Sequence, residues 1–271
     1  MDSQSIKLSI VTPSYNQSPY LEKTIQSVIN QNYPNLEYII MDGGSTDGSV
    51  EIIKKYSDII TYWESKPDKG QADAIYRGFE RSTGDIIAWI NSDDYYLEWA
   101  FSHVEEFFAQ HPDTQWVVGD GIFVDESNRK LLDCYCPPVD HDRLLHFGMT
   151  FIQPTMFIRH EFFFKCGGFD RELKFSFDYD LVLRLSKYSP PGRINSMLTA
   201  FRLHKKSKTE AKSKNDKLLD QQLIKKYGIC YSKYLRFDYL RLLYGLELLI
   251  HRLKTCGIIP YISFKIFHRF E

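Results

Sequence analysis

Apolar positions along the first hundred residues follow two alternating rhythms. Leu8-Ser9-Ile10-Val11 is a short apolar run that stops at Pro13. Beyond it, Leu21, Ile25, Val28 and Ile29 recur at i, i+4, i+7 and i+8, which is one face of a helix. Ser18 is placed as its N-cap and Pro19 at its first helical position. Residues 36–41 are a second buried-strand pattern, running straight into Asp42-Gly43-Gly44-Ser45-Thr46-Asp47-Gly48, a turn composition. Val50, Ile53 and Tyr56 resume helical spacing. Residues 59–63 predict a third strand, 70–83 a helix with Ile75 and Phe79 inward, and 85–90 a fourth, strongly apolar strand. Strands alternating with helices predict right-handed βαβ units, hence an α/β fold with a Rossmann-like, mostly parallel sheet and helices on both faces.

In such sheets ligands sit beyond the carboxyl ends of the strands. Those ends are polar here: Thr12-Pro13-Ser14-Tyr15, Asp42-Gly43-Gly44, residues 64–68, and Asn91-Ser92-Asp93-Asp94. The second half is less regular. Residues 116–124 read as a strand and 134–154 as loop. Gly167-Gly168-Phe169-Asp170 is a turn, 179–185 is helical, and beyond about residue 204 the chain is Lys-rich and helical.

Composition narrows the class. With 43% hydrophobic and 25% charged residues among 271, the chain is globular, not disordered or fibrous. Charge is uneven. Residues 1–201 carry 18 Lys and Arg against 29 Asp and Glu, a net of −11, whereas 202–271 carry 16 against 6, a net of +10. An acidic body argues against a nucleic-acid face, and a basic tail suits an anionic partner or plain solvation. Five cysteines without a CxxC pair fit reduced thiols. No apolar leader opens the sequence and no uncharged apolar run approaches the roughly 18 residues of a membrane span. The expectation is a cytoplasmic protein, with a peripheral membrane contact open to it.

Five groups of residues carry candidate chemistry. The carboxylates of Asn91-Ser92-Asp93-Asp94 are hard oxygen ligands suited to Mg²⁺ or Mn²⁺ that also holds phosphates, or they form a polar turn capping a helix at Leu97. Asp42 before two glycines can accept from a base or ribose, or simply close its turn. Asp68, Lys69 and Gln71 open a helix whose start can face a phosphate, or is merely charged. Asp178, between Phe177 and Tyr179, has the setting of a general base or of an acidic helix start. His204 can ligate a metal, meet a phosphate or pack.

Together these segments resemble family 2 glycosyltransferases of the GT-A fold. The matching stretches are residues 9–16, 31–34, 40–48, 68–73, Gly84-Asp85, Asn91 to Asp94, 167–170 and Asp178-Tyr179-Asp180, in the family's order across about residues 6–205. The resemblance implies an inverting sugar transfer from a nucleotide-diphosphate sugar, a UDP-sugar favoured, to a hydroxyl of a glycan or lipid-linked acceptor. It implies a nucleotide site of Thr12, Pro13, Tyr15, Asp42, Asp68, Lys69, Gln71, Asn91, Ser92 and Asp93. It makes Asp93 the holder of Mn²⁺ or Mg²⁺, to which His204 is added as a second candidate ligand, and Asp178 the catalytic base. Two departures stand out: Asn91 occupies the first position of the family's DxD motif, and Phe177 precedes the base where Glu is usual.

Residues 1–205 are read as the catalytic domain, its nucleotide-sugar half about 1–125 and its acceptor half about 126–205. Residues 206–271 are read as a basic, amphipathic helical region. Within 234–267, Leu242, Leu246, Leu249 and Leu253 share a helical face among Arg and Lys, which suits an anionic membrane surface or a homodimer contact. Two other readings are weighed: a metal-dependent phosphohydrolase or nucleotidyltransferase, and a non-catalytic nucleotide-sugar-binding protein.

Overall fold

The computed structural model describes residues 5–173, 176–204, 207, 226 and 227. The expected strand–helix alternation is there: β1 (Leu8–Ser14), α1 (Ser18–Ile29), β2 (Leu36–Asp42), α2 (Ser49–Lys55), β3 (Tyr62–Ser65), α3 (Gln71–Arg81) and β4 (Ile86–Trp89). The second half adds β5 (Tyr95–Tyr96), α4 (Ala100–Gln110), β6 (Trp116–Val124), β7 (Lys130–Cys134) and α5 (His141–Phe147). It continues with a 3₁₀ turn (Gln153–Thr155), β8 (Phe157–Arg159), α6 (His160–Lys165), α7 (Phe177–Tyr188) and β9 (Gly192–Arg202).

One sheet runs in the order β3-β2-β1-β4-β8-β6-β9-β5, with β7 beside β6. β3, β2, β1 and β4 are mutually parallel. β8 runs antiparallel between β4 and β6, β6 pairs parallel with β9, and β5 pairs antiparallel with β9. Side chains alternate between the faces, as a strand requires. Val11, Ile39, Met41, Ile87 and Trp89 share one core with α3, α6 and α7. Ile10, Tyr38, Ile40, Ile86 and Ala88 share another with α1 and α4. Covered on both faces, β1, β2 and β4 are buried nearly throughout, whereas the edge strand β3 is only partly buried.

The order reverses at β1, with β2 on one side and β4 on the other, which makes the β1/β4 boundary the crevice-forming switch of an open α/β sheet. Register makes the rim level: Ser14 pairs with Asp42, and Asp42 with Ser65. α3 lies close over β1 because Gly78 faces it. A methyl at residue 78 would come within 2.6 Å of Val11 Cγ1.

Several expectations shift. Ser18 is not the N-cap of α1; Gln17 takes that position, and Ser18 N donates to Asp47 Oδ2 at 2.9 Å, a cap supplied by the next turn. β3 starts at Tyr62, not residue 59, since residues 57–60 finish the turn after α2 and leave Ile59 exposed. The 134–154 loop contains α5, started by Asp140, whose Oδ1 accepts from Arg143 N at 2.8 Å. α4 begins at Ala100, not Leu97, and α7 at Phe177, not residue 179. The 234–267 stretch lies outside the described residues.

Candidate active site

A cavity of about 830 Å³ opens at the carboxyl ends of β1, β2 and β4, facing the start of α7. Its wall contains Pro13, Tyr15, Asp68, Gln71, Asn91, Ser92, Asp93 and Asp178, eight of the expected residues from four separate segments. Thr12, Asp42, Lys69 and His204 stand behind or beside that wall.

Three of those four, Thr12, Asp42 and His204, have definite partners in the fold. The Thr12 hydroxyl shares a 3.0 Å hydrogen bond with the Tyr38 hydroxyl inside the sheet. Asp42 is buried, and its carboxylate accepts from Gly44 N at 3.0 Å, Ser45 N at 2.8 Å, and the hydroxyls of Ser45 and Ser65 at 2.6 Å each. It therefore sets the loop that presents Gly43 and Gly44 to the cavity. A side chain at Gly43 would project toward Asp68 Oδ2 at 3.0 Å and Tyr15 Cδ2 at 3.3 Å, so glycine keeps that floor open. Lys69 is exposed at the cavity's margin.

The Asn91–Asp94 bend follows β4 directly and is gripped from α1, from β9 and from His204 just beyond β9. The Thr24 hydroxyl of α1 donates to the Ser92 and Asp94 carbonyls at 3.0 and 2.6 Å. Arg202 of β9, itself 2% exposed, donates its backbone N–H to Asp94 Oδ1 at 2.9 Å and its Nε to the Asp93 carbonyl at 2.7 Å. His204 Nε2 lies 2.9 Å from Asp93 Oδ2, with its ring against Tyr20 at 4.7 Å. Burial, and then the charge of Asp93, push the Asp94 carboxyl well above the usual carboxylate range. Burial thus favours the neutral form of Asp94, whose carboxyl is tied to Arg202 N and Asn91, while the Asp93 carboxylate faces His204.

Asn91 sits in a chain of amides: Gln71 Nε2 donates to its Oδ1 at 2.6 Å, and its Nδ2 faces Asp94 Oδ2 at 3.3 Å and Gln153 Oε1 at 3.5 Å. An amide at residue 91 adds no third carboxylate beside Asp93 and Asp94. Phe177 is likewise explained. It is buried and meets Phe169 edge-on at 5.2 Å, and Phe169 meets Trp89 edge-on at 5.2 Å, so the start of α7 is anchored to the end of β4. Such pairs contribute about 0.5–1.5 kcal/mol each beyond burial.

The wall also contains residues outside the expected set, among them Ser14, Gln153, Phe201 and Ser207. Gln153 is 7% exposed, and its Nε2 donates to the Trp89 carbonyl at 3.2 Å. Its signal in the sequence is a lone amide within the apolar run Phe151-Ile152-Gln153-Pro154-Thr155-Met156-Phe157. Ser14 Oγ is buried at the cavity with no hydrogen-bond partner among the described residues. An orphaned hydroxyl at a cavity wall is costly unless a ligand or water meets it.

The fold has the architecture of GT-A enzymes. A UDP-GlcNAc complex of TarS from S. aureus superposes with a TM-score of 0.64 over 77% of this chain and 61% of that one, at 17% identity. Residues 9–168 match the profile of glycosyl transferase family 2, and the chain belongs to that family. An uncharacterized glycosyltransferase of Rickettsia typhi is 28% identical over 73% of this chain. A putative teichuronic acid biosynthesis glycosyltransferase of Bacillus subtilis is 39% identical over 32% of this chain and 36% of its own length. The chain spans 64% of the length of the Rickettsia relative. No described helix is long and apolar enough to cross a membrane.

Proposed function

We propose that the chain transfers a sugar from a UDP-sugar to a hydroxyl acceptor by a single inverting displacement. The observation that carries this reading is the gathering of Asp93, Asn91, Asp68, Gln71 and Asp178 around one cavity at the β1/β4 switch, in a family of glycosyltransferases. The glycines at the end of β2, the Tyr15 ring and the Ser14 hydroxyl suit a nucleotide laid across β1 and β2. Thr12 and Asp42 support that surface from behind, Asp68, Lys69 and Gln71 border the ribose, and Asn91, Ser92 and Asp93 meet the diphosphate side.

Asp93 and His204 would hold a divalent cation. A carboxylate and an imidazole fit Mn²⁺ or Mg²⁺, and further ligands would come from diphosphate and water, since no third His, Cys, Asp or Glu joins them among the described residues. When bound, the ion would supply charge to the departing nucleoside diphosphate.

Asp178 is assigned the proton transfer. The acceptor oxygen attacks the anomeric carbon as its proton passes to the Asp178 carboxylate. The bond from that carbon to the diphosphate oxygen breaks, UDP leaves, and the anomeric configuration inverts. A glycan or lipid-linked alcohol is the acceptor class proposed. The basic, leucine-striped stretch 234–267, outside the described residues, is proposed to meet an anionic membrane surface or a second subunit.

Calorimetry with UDP and Mn²⁺ tests the donor side. Wild-type chain should bind UDP more tightly with Mn²⁺ than without it. Asp93→Ala should erase that difference, a loss of about 10–100-fold or more, while remaining folded by circular dichroism. Equal Mn²⁺ enhancement in both proteins would remove Asp93 from the ion site.

A further inference from the structure

α7 starts under conditions that need outside help. Ser176, just before it, has φ 55° and makes no side-chain capping bond, and within the first turn the Asp178 carboxylate accepts from Tyr179 N at 2.9 Å. A non-glycine residue in the left-handed region costs about 1–2 kcal/mol, so contacts beyond the turn must hold it. The strongest of these converge on Asp180, which is wholly buried. Its Oδ2 accepts from Arg184 Nε at 2.9 Å and Nη2 at 2.7 Å, one turn along the same helix. Its Oδ1 accepts from Lys226 Nζ at 3.0 Å and from the Tyr227 hydroxyl at 2.7 Å.

The two oxygens thus have different origins of support. One is served by its own helix, the other by residues 46 and 47 positions further on. Lys226 also lies 3.4 Å from Asp170 Oδ2, in the turn that leads to α7. Arg171 beside it pairs with Asp73 of α3, and Tyr227 packs on the core that contains Leu181. Lys226 therefore ties together the two ends of the stretch 170–180, and Asp178 reaches the cavity from within that stretch. Without the tie, Asp180 Oδ1 would keep its burial and lose both of these partners, a condition more costly than an exposed loss.

We infer that Lys226 and Tyr227 form a strap that positions Asp178, by fixing the first turn of α7 through Asp180. The inference rests on the reading of Asp178 as the base. Lys226 and Tyr227 are positioning residues; they hold the helix and touch no reacting atom.

The test uses the full chain carrying Lys226→Met and Tyr227→Phe together, with Lys226→Arg as the conservative variant. The first readout is amide exchange in α7, where Asp180 N donates to Ser176 O at 2.9 Å. Exchange at 177–181 should quicken about 10-fold, the worth of one charged hydrogen bond. The second is UDP release from UDP-GlcNAc with water as acceptor. Its kcat should fall about 10-fold, since small misplacement of a catalytic group costs up to roughly 10²-fold, with donor KM unchanged. Lys226→Arg should keep most of the rate. In an Asp178→Asn background the double substitution should leave the residual rate as it is.

Unchanged exchange in the first turn of α7 would overturn the strap. So would an equal rate loss with and without Asp178, or a change confined to donor KM. Quickened exchange together with a full rate in Asp178→Asn would leave the strap's hold on α7 standing and overturn the base reading instead.

Discussion

The β1–β2 side of the cavity and its α7 side are held in different ways. On the first, Asp42 takes its hydrogen bonds from Gly44 and Ser45 in its own turn and from Ser65 on the neighbouring strand. The support is local and follows once β1, β2 and β3 pair in register. On the second, Arg171 reaches Asp73 across 98 residues, and Lys226 and Tyr227 reach back 46 and 47 to Asp180. The Asn91–Asp94 bend stands between, begun by β4 and secured from Arg202 and His204. The surface proposed to face a nucleotide is made by short-range geometry. The wall assigned to proton transfer hangs on contacts that exist only when the whole chain has folded.

The largest effect should come from the α7 side alone. Asp178→Asn is expected to cut transfer by roughly 10²–10⁴-fold, the usual worth of a positioned base, with UDP affinity near normal. Steady-state rates and UDP titration together check this. A matching loss of UDP affinity would mean that the two sides are not separable.

That difference in origin also explains what could be read from sequence. Strand–helix periodicity located β1, β2, β4 and α3, and through them Pro13, Tyr15, Asp68, Gln71 and Asn91 to Asp93, since βαβ units are local. β6 was legible as well, being a long apolar run. β9 was not. Its Asn195 and Ser196 interrupt the apolar pattern, and its pairing with β6 slips register at Gly119 and Asp120. β5 has two residues and exists only because β9 is beside it. Gln153 and Ser207 enter the wall through folding of the irregular half. Asp42 was legible as important, but its four short hydrogen bonds are contacts that only coordinates can assign to loop support.

A middle-sized effect should come from the β1 side, in stability. Gly78→Ala would press a methyl against Val11, whose Cγ atoms lie at 2.6 and 2.9 Å from the built position. The expected cost is about 1–3 kcal/mol in chemical denaturation. An unchanged midpoint would show that α3 can lift from β1 without loss.

The smallest effect concerns pH. Burial acts to raise the Glu37 carboxyl, but hydrogen bonds from the Ser9 hydroxyl and from Thr83, with Lys7 nearby, outweigh it and hold Glu37 below its ordinary 4.5. Burial likewise opposes Tyr227, Arg184 and Lys226 at Asp180, which is held below its ordinary 3.8. Both carboxylates bind protons more readily unfolded than folded. Their stabilisation is present above those ordinary values and is lost as pH falls toward the native ones. Asp94, raised by burial and Asp93, works in the opposite sense, its contribution fading as pH rises through its native value. Melting temperature should therefore drop on acidification below about pH 4.5, and Glu37→Gln should flatten that drop. An identical acid slope in the variant would assign the acid sensitivity elsewhere.

The central claim is inverting transfer from a UDP-sugar, and proton NMR of the turnover mixture tests it most directly. With an α-linked UDP-sugar, Mn²⁺ and water as acceptor, the account predicts UDP as the nucleotide product and β-configured sugar appearing first. Release of UMP with sugar phosphate would make the chain a phosphohydrolase. Sugar appearing first in the α configuration, or a donor that binds and stays intact, would equally contradict the account.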